Sequence, residues 1–504
     1  MKVIWKTTKY ILIYLYLFII SLVYASTIWT INKYGNISFD EIVFYLNNSL
    51  NGTNSDFINS FILQSILPSV VVAFLLLIGM IWIVYKLKGY NYFIDFTLWK
   101  KKKIIKVNGD ILLGIVNIVI LLITVEVFYF SIDKIGLVEY SKLQKLDSSF
   151  IEDNYVNPKE VEVTFPEQKR NLIYIYVESL ESTHFSTDLG GSNENNLMPE
   201  LAKLSEENIT FSNTDQLGGA LPVTGTTWTS GALIAQTAGL PLKTTNIPSV
   251  VEGAYSLGEF LEREGYNQMI MFGSDQEFGN RGPYFKTHGN YEVYDLQTAR
   301  DKGKIPQDYY VWWGFEDSKL FEYAKEEIKN LAQKDAPFNF SLLTVNTHHI
   351  DGYLEESCET SYDNQVQNVV ACTSKQLDEF IKWIQKQDFY ENTTIVLSGD
   401  HLSMEPEYFN YLDSDYQRTI YNLFINSVAY TDNTKNRLFS TMDLYPTTLA
   451  SLGVTIEGNK LGLGTNLFSD EKTLIEEYGF DYVDSELSAG SSFYINKIIY
   501  NSEK

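Results

Sequence analysis

Cysteine is nearly absent from this chain, whose 504 residues include only Cys358 and Cys372. That scarcity excludes a disulfide-dense scaffold and any cluster of thiolate metal ligands. Histidine is almost as rare: His184, His288, His348, His349 and His401 are all there are, and none precedes residue 180. Positive charge is short as well, with 39 Lys and Arg against 63 Asp and Glu and a formal net charge of −24. So acidic a chain repels a phosphate backbone, which excludes nucleic acid as a partner. Internal repeats, low-complexity tracts and a second soluble domain are also missing.

Long apolar runs are present, and all of them lie early in the chain. Residues 10–29, 61–85 and 111–130 each approach or exceed the roughly 20 residues that cross a bilayer core. They predict three transmembrane helices and a membrane domain over 1–130. The alternative for the first run is a cleavable signal peptide, but its apolar stretch exceeds the usual length of about 7–15 residues. Lys2, Lys6 and Lys9 precede the first run, and Lys86, Lys88, Lys100, Lys101, Lys102, Lys103 and Lys106 fill the loop between the second and third. The 31–60 loop instead carries Asp40, Glu41 and Asp56 with only Lys33. The positive-inside rule then puts the amino terminus in the cytoplasm and everything after about residue 131 outside, with Glu126 snorkelling to the interface. Residues 131–170, with Pro158, Pro166 and many charges, read as a connector to an extracytoplasmic domain over 171–504. In that compartment Cys358 and Cys372 are expected to pair, closing a short loop for about 3 kcal/mol, with two buried thiols as the alternative.

Three shorter apolar runs end in polar groups of one kind. NLIYIYV (171–177) stops at Glu178, FNFSLLTV (338–345) at Asn346-Thr347-His348-His349, and TTIVLSG (393–399) at Asp400-His401. Active sites of open α/β sheets lie at the carboxyl ends of strands, where a carboxylate and an imidazole are metal ligands or proton carriers. A lone Asp there could equally cap the next helix. Three such endings in one chain favour a site. Alternation with helical segments, such as one beginning at Pro199 and running into a strand before 213, predicts an α/β fold with a mostly parallel sheet and helices on both faces.

A nucleophile is sought in GGALPVTGTTWTSGALIAQTAGLP (218–241), a Gly- and Thr-rich turn leading into a small-residue helix. A hydroxyl held at a helix N-terminus suits attack on an anionic phosphorus. Thr224, Thr226, Thr227 and Thr229 are the candidates.

The ordered set VESLE (177–181), TGTTWT (224–229), FGNRGPYFKTHG (278–289), WGFEDSKLF (313–321), TVNTHHIDG (344–352), SGDHL (398–402) and DLYPTTLASLG (443–453) resembles the phosphoglycerol transferases. These stand with the lipoteichoic acid synthases in the sulfatase and alkaline phosphatase superfamily, and the resemblance covers roughly residues 150–470. It implies a three-layer α/β/α domain of alkaline phosphatase and sulfatase type. It also implies a divalent cation, manganese or magnesium rather than zinc, on Glu178, Asp400, His401 and a nucleophilic Thr226. His348 would contact the phosphoryl group and move a proton, with His349 beside it, and Arg281 would bind the phosphoglycerol. Phosphatidylglycerol is the implied donor, a cell-envelope glycan the acceptor and a bacterial cell (inner) membrane the location. Polyglycerol phosphate synthesis, phosphoethanolamine transfer and a catalytically silent envelope polymer-binding protein are the alternatives. Where lipoteichoic acid synthases carry a tryptophan two residues before the arginine, this chain has Gly279, and it contains no C/S-x-P-S-R sequence, which sulfate ester hydrolysis requires.

Overall fold

The computed structural model describes every residue except 1, 36, 38, 48–51, 99, 100, 244–249, 406, 503 and 504. The chain divides into two units. One comprises residues 1–39 and 54–139, the other residues 40–53 and 140–504.

The first unit holds three helices long and apolar enough to cross a membrane, Ile4–Tyr34, Ser55–Leu87 and Gly109–Lys134. The expected runs lie inside them; the helices extend further because polar residues at a bilayer's edge still close backbone hydrogen bonds. Small residues sit where the helices meet: Ser65, Ser69 and Ala73 are buried while the apolar residues around them are exposed. Tyr16 and Thr124 share a hydrogen bond of 2.6 Å, and the Trp29 indole donates to Ser60 at 2.7 Å. An antiparallel pair, Asn91–Leu98 with Lys101–Asn108, occupies the segment between the second and third helices.

The second unit is built on six strands: β1 (Asn171–Val177), β2 (Asn267–Phe272), β3 (Glu292–Tyr294), β4 (Phe338–Leu343), β5 (Thr393–Gly399) and β6 (Asn422–Ile425). Their order is β3-β2-β4-β1-β5-β6, parallel except for β6. All seven residues of β1 are buried, as a parallel strand covered on both faces requires. Its side chains alternate between two cores. Leu172, Tyr174 and Tyr176 face helices that include Thr229–Ala238 and Leu444–Ser451, whereas Ile173, Ile175 and Val177 face Pro199–Glu207, Asp317–Ala332 and Gln365–Gln385. This is the expected three-layer α/β/α arrangement.

Two expectations about organisation are corrected. The 131–170 segment is not a free connector: from Tyr140 onward it belongs to the second unit, with Phe150 and Ile151 buried and Val163–Thr164 paired to Thr455–Ile456. Its apolar residues have a surface to cover, which its charge and proline content concealed. The strand expected after Pro199–Glu207 reduces to a single bridge between Ile209 and Phe424. The two cysteines are joined, with Cα atoms 5.6 Å apart, tying Cys358 to the helix that carries Cys372.

Candidate metal centre

Parallel register brings β1, β4 and β5 to a common edge: Ile175 pairs with Leu342, and Val177 with Gly399. Glu178 and Asp400 therefore leave adjacent strands side by side. The Glu178 amide donates to Thr344 Oγ1 at 3.0 Å and the Asp400 amide to the Val177 carbonyl at 3.1 Å, which ties the three strand ends together.

Glu178, Asp400 and His401 are buried, and one ligand atom from each falls within 4.8 Å of the others. Asp400 Oδ1 accepts from the Ser179 and His401 amides at 2.8 and 2.7 Å. Its Oδ2 is buried with no hydrogen-bond partner. His401 Nδ1 lies 2.8 Å from the Leu402 carbonyl, which makes it the donor and leaves Nε2 3.4 Å from both Glu178 Oε1 and Asp400 Oδ2. An imidazole nitrogen, a carboxylate and an unpartnered carboxylate oxygen converging in a buried pocket require a proton or a cation between them. These residues fit a divalent metal ion.

The charges are arranged to the same end. Burial, then the Glu178 charge, pushes Asp400 up to about 7. Burial alone would lower His401, but Asp400 and Glu178 hold it above its ordinary value. Burial also opposes ionisation of Glu178, and His348, His401, Ser179 and Arg281 together keep it below the usual range.

The threonine at this cluster is not Thr226. Thr226 is fully buried and its hydroxyl donates to the Val223 carbonyl at 2.8 Å, closing the turn that precedes the helix. Thr224 is committed to Asp484, through its amide at 2.7 Å and its hydroxyl at 2.9 Å. Thr229, the first residue of helix Thr229–Ala238, holds its Oγ1 3.4 Å from both Glu178 Oε2 and His401 Nε2. Thr229 opens the helix that follows the glycine turn, whereas Thr224 and Thr226 lie in the turn before it.

Arg281 is buried, with Nε donating to the Phe278 carbonyl at 2.9 Å, a terminal nitrogen donating to Ser274 at 2.9 Å, and Phe272 and Phe278 against its guanidinium. It lies within electrostatic reach of Glu178 and Asp400. At Gly279, where φ is +62°, a Cβ would come within 2.6 Å of the Ser230 hydroxyl, so this turn has no room for a larger residue. The His348 ring packs 4.5 Å from Trp313, and its Nδ1 is held by the His349 carbonyl at 2.7 Å. His349 is buried in a stack on His348 and does not join the ligand cluster.

Two groups escaped the sequence reading. Asp317 is fully buried and accepts from the Val345 and Asn346 amides at 2.8 and 3.0 Å, fixing the backbone that leads to His348; burial pushes it up to about 7. Its signal was an acid in the first turn of an amphipathic helix, which ordinarily marks a cap. Near the ligand strand, Glu181 pairs with Arg418, and His184 is buried against Tyr408 and Phe409. Burial lowers His184 to about 4. A histidine depressed in the fold adds stability above its ordinary value near 6.5 and loses it as pH falls towards 4, a difference on the order of 3 kcal/mol. Chemical denaturation of wild type and His184→Gln between pH 7 and 4 should therefore show the wild type losing that much more; parallel pH profiles contradict it.

A family model described as Sulfatase matches residues 170–454, and the chain belongs to the sulfatase family. Within that class it is 30% identical over 326 residues to proteins named phosphoglycerol transferase I from Salmonella choleraesuis and Citrobacter koseri, the match covering 62% of this chain. The chain spans 41% of the length of these relatives. Among solved structures, the lipooligosaccharide phosphoethanolamine transferase A (EptA) of Neisseria meningitidis shares the fold, with 13% identity, a TM-score of 0.51 and coverage of 88% of this chain and 84% of that one.

Proposed function

We propose that this protein is a membrane-anchored transferase that moves glycerol phosphate from phosphatidylglycerol to a hydroxyl of a cell-envelope glycan, with Thr229 as the covalent carrier. The reading rests on one observation: the Thr229 hydroxyl stands 3.4 Å from both Glu178 and His401, at the N-terminus of a helix. Thr229 Oγ1 attacks phosphorus, the bond to the diacylglycerol oxygen breaks, and a glycerophosphoryl threonine remains. The acceptor hydroxyl then displaces threonine. A divalent cation on Glu178, Asp400, His401 and Thr229, manganese or magnesium, would supply the positive charge that lowers the hydroxyl's pKa and offsets the phosphoryl charge. Arg281 adds a fixed cation of this chain's own, which suits a reaction governed by positioning and neutralisation. With His348 Nδ1 committed to a carbonyl, Nε2 is the position that exchanges a proton with the attacking or leaving oxygen.

The apolar helices support a lipid donor, since exposing a diacyl chain to water costs about 0.8 kcal/mol per methylene. The charge asymmetry of the loops supports a domain outside the cytoplasm. Mass spectrometry of envelope glycans from cells with and without the protein tests the transfer. A glycerol phosphate increment should depend on the protein; a phosphoethanolamine increment instead, or none, overturns the donor assignment.

A further inference from the structure

The loop between the first two membrane-type helices has no part in the chemistry above, yet its residues 40–53 belong to the catalytic unit. Helix Phe39–Asn47 buries Asp40, Glu41 and Phe44. An idle loop would leave such residues in water, because burying carboxylates is costly unless something is gained. Phe44 lies 6.2 Å from the Trp228 ring, immediately before Thr229, and closes a small cavity that Ser230 and Arg281 also line. Tyr45 stacks on Phe278 at 5.8 Å and 27°. Phe278 in turn accepts from Arg281 Nε through its carbonyl and lies 5.3 Å beneath the guanidinium. The same segment continues past this turn: at Gly52, where φ is +81°, a Cβ would approach Asp275 to 2.6 Å, and Tyr310 reaches the Gly52 carbonyl at 3.5 Å. Two consecutive aromatic residues thus each touch the neighbour of a different reacting group.

We propose that residues 40–47 are a positioning element of the active site, with Phe44 fixing Thr229 through Trp228 and Tyr45 fixing Arg281 through Phe278. The inference rests on the roles given to Thr229 and Arg281 above. A displacement of about 1 Å at either group would cost on the order of a hundredfold in rate, so rings packed behind both are a direct control on turnover.

The test uses full-length protein in phosphatidylglycerol vesicles, measuring diacylglycerol release and melting temperature for Phe44→Ala, Tyr45→Ala, Phe44→Leu and Tyr45→Phe. Each alanine variant should lower kcat at least about tenfold while KM stays within about threefold, and the leucine and phenylalanine variants should recover most of the loss. Alanine variants with kcat within about twofold of wild type overturn the proposal. So does a loss that tracks unfolding and is not recovered by Phe44→Leu or Tyr45→Phe. If wild type releases no diacylglycerol, the donor assignment fails by itself, and the same four variants are scored on cleavage of bis(4-nitrophenyl) phosphate, where the same criteria apply.

Discussion

Thr229→Ala abolishes diacylglycerol release from labelled phosphatidylglycerol, with a fall in kcat of at least about a thousandfold, as expected when a covalent nucleophile is removed. Thr226→Ala leaves the site in place, because the Thr226 hydroxyl serves only the Val223 carbonyl. Its cost is a buried hydrogen bond, about 1 kcal/mol of stability, with turnover within about tenfold of wild type. Peptide mass spectrometry of wild-type protein quenched during turnover should find the glycerophosphoryl group on the peptide carrying Thr229. Both threonines lie on the same stretch of chain, so fragmentation must separate them. Activity surviving in Thr229→Ala and lost in Thr226→Ala would return the nucleophile to Thr226.

Chelation of the purified full-length protein should remove activity completely, and manganese or magnesium should restore it. The same experiment has a readout independent of turnover. A cation present at about a hundred times its dissociation constant stabilises the fold by about 2.7 kcal/mol, so melting temperature should rise with metal and fall with chelator. The sign of the pH dependence follows from the ligands. Without a cation, Asp400 is pushed up to about 7 by burial and the Glu178 charge, and His401 is held above its ordinary value. Both must release protons before they bind metal, so apparent affinity should increase as pH rises from about 5 to 8. Asp400→Asn removes one charge and the unpartnered Oδ2, and should weaken both the activation and the thermal shift. A melting temperature indifferent to chelator would remove the metal from this site.

How much of this was legible in the sequence depended on the distance over which each fact is decided. Glu178, Asp400 and His401 could be read because a buried strand ends abruptly, and its last residue occupies the sheet edge whatever the rest of the chain does. Thr229 could be shortlisted but not chosen: four threonines fall between 224 and 229, and a shift of three positions separates a turn residue from a helix's first residue. The pairing of Cys358 with Cys372 needed only the compartment and a short loop. The fit of Phe44 against Trp228 was out of reach, since a short amphipathic helix between two apolar runs carries no mark of the surface it covers. Asp317 was equally hidden, because an acid in the first turn of a helix looks the same whether it faces water or the backbone of another strand.

The position of β1 in the sheet has a kinetic consequence. It is the first strand of the sheet in the chain, yet it is hydrogen-bonded to β4 and β5 and, among the described residues, has no strand partner before residue 338. In the topology proposed above, with this domain outside the cytoplasm, a chain delivered residue by residue across the membrane presents NLIYIYV unpaired until most of the domain has followed. Parallel pairings of such long range are slow to form, and exposed apolar strands aggregate while they wait. In that topology assembly depends on what shelters the segment during export, and a shortage of such protection would reduce the amount of folded protein without altering the turnover of the molecules that succeed.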